Sequence, residues 1–117
     1  MFKKMILAVA MTATLAAPAY AANDGRDRRV NVINASGQVL REIYASPVTS
    51  SSWEEDMLGS NVLGAGQNRI FNIDNGTSQC RYDLKAVMGN GREHIRRNVN
   101  VCVVGSWTIS NRGNSLR

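Results

Sequence analysis

Cys80 and Cys102 are the two residues whose types and spacing most directly imply chemistry. In an oxidising compartment an even cysteine count reads as a disulfide. Closing that loop stabilises a fold by about 3 kcal/mol through loss of unfolded-chain entropy. The pair has no C-x-x-C spacing and no histidine partners, which disfavours a redox couple or a zinc site.

Trp53-Glu54-Glu55-Asp56 is the best candidate for a ligand site. Three carboxylates beside an aromatic suit a cation such as calcium. A calcium loop, however, spaces its oxygens around a tight turn, and here the carboxylates are consecutive. The competing reading is a helical turn over 53–58, capped by Ser52, whose Trp53 and Leu58 plug one end of a β-structure. His94 is the sole histidine, sits between Glu93 and Ile95 with arginines close by, and is expected at the surface. With one histidine and no G-x-S-x-G, a serine triad has little to stand on. Met57 and Met88 lack the spacing of a copper site and read as packing residues. Asn34-Ala35-Ser36 and Asn75-Gly76-Thr77 match the glycosylation pattern, yet turn chemistry alone accounts for both.

The N-terminus carries an address. Lys3 and Lys4 precede an apolar run from Met5 to Leu15, and Ala19-Tyr20-Ala21 supplies the small residues of a cleavage site. Residues 1–21 therefore read as a secretory signal, and its run is too short to span a membrane. The remaining part, about 96 residues, fits one small domain of marginal stability. It holds twelve basic and nine acidic residues, and eleven of the twelve are arginine. This is mostly solubilising charge, with a mild preference for anionic surfaces as the alternative. No basic helix or aromatic-rich basic stripe points to nucleic acid.

The elements that must position these residues are strands. Residues 22–28 form a flexible lead-in. VNVIN (30–34) and QVLREIYAS (38–46) flank an Ala35-Ser36-Gly37 turn and suggest a hairpin, the second strand carrying a possible bulge. NRIFNID (68–74) precedes Asn75-Gly76. CRYDLKAVM (80–88) alternates most clearly, with Tyr82, Leu84, Ala86 and Met88 on one face and Arg81, Asp83 and Lys85 on the other. Gly89-Asn90-Gly91 turns the chain into an exposed return over 92–97. NVNVCVV (98–104) and Trp107–Ile109 complete the set. No single register of the 80–88 and 98–104 strands both opposes the cysteines and aligns their apolar faces. A bulge near Cys102, or a change of sheet there, resolves the conflict. The expected domain, 29–110, is an all-β, small antiparallel sandwich of six to seven short strands with one helical turn and one disulfide. Residues 111–117 are expected to form a flexible tail.

V-N-V-I-N-A-S-G, I-Y-A-S-P, W-E-E-D-M-L-G, and C-R-Y-D-L with a later V-C occur in order over residues 30–102. In these the chain resembles a group of small, uncharacterised secreted or periplasmic bacterial proteins. Related chains often carry glycine after the tryptophan, where Glu54 stands here. The resemblance implies a secreted β-rich domain and no particular activity.

The reading that follows is a non-enzymatic periplasmic or secreted module, without cofactor or metal, that binds a protein or cell-envelope component. Trp53, Glu55 and Asp56 at one end, and Arg92, Arg96 and Arg97 after Gly91, are the expected contact residues. The alternatives are an enzyme inhibitor acting through a protruding loop, and a calcium-binding protein using the 53–56 carboxylates.

Overall fold

A computed structural model describes residues 24–117. The expected signal segment, 1–21, lies outside the described residues. Seven strands occur among the described residues, and no helix: β1 Arg29–Asn34, β2 Leu40–Pro47, β3 Asn68–Asn72, β4 Arg81–Met88, β5 Glu93–Asn100, β6 Ser106–Ile109 and β7 Asn114–Leu116. They make two sheets, a four-stranded one in the order β3-β1-β6-β7 and a three-stranded one in the order β2-β4-β5. All belong to one compact unit, Asp27–Ile73 with Gln79–Arg117. Asp74–Ser78 falls outside that unit; within it the side-chain oxygens of Asp74 and Asn75 accept the N–H groups of Gly76 and Thr77.

Alternation dictates the core. Val30 and Val32 of β1, Phe71 of β3, and Trp107 and Ile109 of β6 line the inner face of one sheet. Leu40 and Ile43 of β2, the predicted Tyr82–Met88 face of β4, and Val99 of β5 line the other. These residues form a single hydrophobic cluster, the signature of a sandwich. The bulge anticipated in the second strand is present. The β2–β4 register shifts between Leu40 and Glu42, which lets residues three apart, Leu40 and Ile43, both point inward.

Several expectations are corrected. β1 and β2 do not form a hairpin; the Ala35-Ser36-Gly37 turn carries the chain from one sheet to the other. Asn34 explains why. It is fully buried, donates from Nδ2 to the Gln38 and Leu63 carbonyls, and accepts at Oδ1 from the Ser36 N–H and hydroxyl. Its amide thereby fixes the crossover and leaves no group exposed for glycosylation. The chain returns to the first sheet for β3, crosses again to build β4 and β5, and comes back as β6, which lies parallel to β1, while the other four strand pairings are antiparallel.

Residues 93–97 of the expected return loop belong to β5, and the strand expected over 98–104 stops at Asn100. The conflict of register resolves at Asn98 rather than at Cys102. Ala86 pairs with His94, but Tyr82 pairs with Val99, so one extra residue is accommodated opposite Asp83. Asn98 takes φ 55°, and its N–H donates to Asp83 Oδ1. Inward parity therefore switches from His94 and Arg96 to Val99. The chain then turns over Val101–Val103 and changes sheet.

The predicted disulfide is present. Cys80 immediately precedes β4 and Cys102 lies in the turn after β5, with their Cα atoms 5.4 Å apart. Arg28, the last residue of the expected lead-in, and part of the expected tail are held. Arg28 is 1% exposed, and its Nε donates to the Gln79 carbonyl. Residues 114–116 pair with β6, because Trp107 needs a partner for its indole N–H and finds it in Asn114.

Candidate functional site

The expected helical turn over 53–58 does not form. Glu54 adopts φ 65°, which no helix tolerates, and the Asp56 carboxylate captures backbone donors. Its Oδ1 accepts from Leu58 N–H and from Ile43 N–H of β2. The Met57 N–H then donates to the Ile43 carbonyl, and Leu63 exchanges two hydrogen bonds with Leu40. The 48–67 segment is thus strapped along the outer edge of β2, which would otherwise present unpaired backbone groups. Asp56 is consumed by this role. Glu55 is exposed on the same strap. Among the described residues no three histidine, cysteine or carboxylate side chains are grouped as a metal cage.

The strap delivers Trp53 onto the outer face of the three-stranded sheet. There Lys85 Nζ lies 4.9 Å from both the Trp53 and Tyr44 ring centres. The Arg97 guanidinium lies 5.1 Å from the Trp53 ring, and the Tyr44 and Trp53 rings are 6.5 Å apart, inclined at 54°. Arg97 also pairs with Asp83 at 3.2 Å. Tyr44 donates its hydroxyl to Glu42 at 2.6 Å; this bond, with desolvation and the Glu42 and Asp56 charges, pushes its pKa up to about 12. A cleft of about 160 Å³ opens beside the stack, lined by Ser46, Ser50–Ser52, Trp53, Asp83 and Arg97.

Of the six expected contact residues, the structure brings two together, Trp53 and Arg97. Tyr44 and Lys85 complete the stack. The alternation of β4 places Lys85 on this face, but nothing in the sequence around Tyr44 announces Trp53, which arrives from the strap. Arg92 lies elsewhere, donating to the Asn111 carbonyl. Arg96 precedes the bulge, so its parity turns it inward toward Asn114 at 3.5 Å.

His94, expected at the surface, is buried at 5% exposure because it faces inward opposite Ala86. Its Nδ1 lies 3.3 Å from Asn114 Nδ2. Asn114 Oδ1 accepts from Trp107 Nε1 at 2.9 Å, so its Nδ2 faces the histidine as a donor. Nδ1 must then accept, and the ring is the neutral tautomer with its proton on Nε2. Burial, and secondarily the charge of Arg92, lower its pKa below 6.5.

The sequence matches no family profile and no curated protein. In three dimensions the chain is similar to the NMR structure of a protein from Eubacterium rectale. The TM-score is 0.52 at 14% identity, over 83% of this chain and 92% of the other. At that identity the likeness concerns the fold alone. No helix among the described residues is long and apolar enough to cross a membrane.

Proposed function

We propose that this protein is an exported, non-enzymatic recognition module. It binds a protein or cell-envelope component through the outer face of its three-stranded sheet. One observation carries the reading: Trp53 is held half-exposed between Lys85, Arg97 and Tyr44 at the lip of a serine-lined cleft. Tryptophan, tyrosine and arginine are the residues that most often dominate binding energy at interfaces, because they combine large apolar area with few rotatable bonds and a polar edge. The disulfide and the leader-like N-terminus support export. The inhibitor alternative has less support, since the longest loop lies bonded along β2 rather than protruding.

The test is capture from envelope extract with the residue 22–117 protein as bait. A specific partner retained by the native protein and by Arg69→Ala, and lost with Trp53→Ala and Arg97→Ala, supports the proposal. Equal capture by all four proteins sinks it.

A further inference from the structure

At a second place in the same compact unit, the turn after β1, the β4–β5 hairpin and the β6–β7 hairpin meet around another cleft of about 160 Å³. That is close to the size of an engineered cavity that accepts benzene, but this one is polar and open. We infer that it is a binding site for a small oxyanion, a carboxylate or a phosphate, held by His94 Nε2–H and the Arg92 guanidinium. This site is separate from the Trp53 surface and does not depend on it.

The polar atoms already in use decide what the cleft can hold. Apart from Gln38, each side-chain oxygen around the cleft already accepts an internal hydrogen bond. Asn90 Oδ1 takes the Arg92 N–H, and Asn111 Oδ1 takes the Gly37 N–H. Ser36 Oγ accepts from Gln38 N–H and donates to Asn34, while Ser110 Oγ accepts from Arg112 N–H and donates to Gly113. The donors that remain are the Nδ2 groups of Asn90 and Asn111, the Arg92 guanidinium beyond its one bond to Asn111, and His94 Nε2–H. Gln38 adds one donor and one acceptor. No carboxylate lines the cleft. A donor-rich pocket with one fixed positive charge is matched by a ligand that only accepts and carries negative charge. Met88 supplies an apolar wall, and the volume of about 160 Å³ limits the ligand to a small one.

His94 is the protein's sole histidine, so its ring resonances are unambiguous in NMR spectra of the disulfide-bonded protein. Titration with inorganic phosphate and, separately, with acetate is expected to shift them saturably. Response to phosphate alone, to acetate alone or to both identifies which oxyanion the site prefers. Arg92→Ala, at an exposed position, is expected to weaken binding by about tenfold, the effect of one lost charge-assisted hydrogen bond. Arg69→Ala, on β3, removes the same charge and is expected to leave the affinity within about twofold. The inference is overturned if neither anion shifts His94 saturably up to about 50 mM, a concentration that reveals even weak sites. Equal weakening by the two variants overturns it as well, since binding would then follow net charge alone.

Discussion

Glu54 occupies the left-handed region at φ 65°, a conformation in which a Cβ is unfavourable. The residue is exposed and lies within the strap that covers β2, two positions before Asp56. Glycine removes the strain but gives the unfolded chain more freedom, so the two effects partly offset. Glu54→Gly is expected to raise stability by up to about 1 kcal/mol in urea denaturation, strain relief being the larger effect. His94 belongs to the same scale. Its folded pKa is depressed by burial, so the unfolded chain binds the proton more readily. Its contribution to stability is complete above the unfolded value, about 6.5, and is lost as pH falls from there through the folded value. An NMR titration should place its midpoint below 6.5, and His94→Gln should abolish this part of the pH dependence of unfolding.

At the scale of elements, the β4–β5 bulge decides which residues face inward. Asp83 holds it with two hydrogen bonds of unequal worth. The bond from Asn98 N–H, at 2.9 Å, fixes backbone within a bulge; the pairing with Arg97 is a solvent-facing ion pair. Exposed pairs contribute under about 1 kcal/mol, whereas a backbone hydrogen bond to a charged group contributes about 1.5–3 kcal/mol. Asp83→Ala is therefore expected to cost about 1–2 kcal/mol after partial replacement by water, and Arg97→Ala clearly less. Chemical denaturation of both variants checks the order. If Arg97→Ala costs as much as Asp83→Ala, the bulge is not what Asp83 supports.

For the whole molecule, the disulfide is placed where it matters most. Cys80 lies just before β4 of one sheet, and Cys102 lies where the chain leaves β5 to join the other. It closes a loop of 22 residues of separation, holding the crossover and the hairpin together. Replacing both cysteines by alanine is expected to lower stability by about 3 kcal/mol. For a domain this small that is a large share of the total. Calorimetry of the double variant against the oxidised protein measures it.

Local pattern was enough to place five of the seven strands, the inner face of β4, the bulge in β2 and the cysteine pairing. Each follows from period-two alternation, turn residues or an even thiol count, and each is a property of neighbours along the chain. Tertiary structure decided the rest. His94 and Arg96 turned inward because a bulge set by Asp83, some fifteen residues distant, chose their parity. Trp53 met Lys85 and Arg97 because the Asp56 carboxylate bonds the edge of β2 and the helical turn expected over 53–58 does not form. The C-terminal residues formed β7 because a buried indole required Asn114. In each case the deciding hydrogen bond joins groups that sequence proximity does not connect, and a short-range reading of residue types has no access to it.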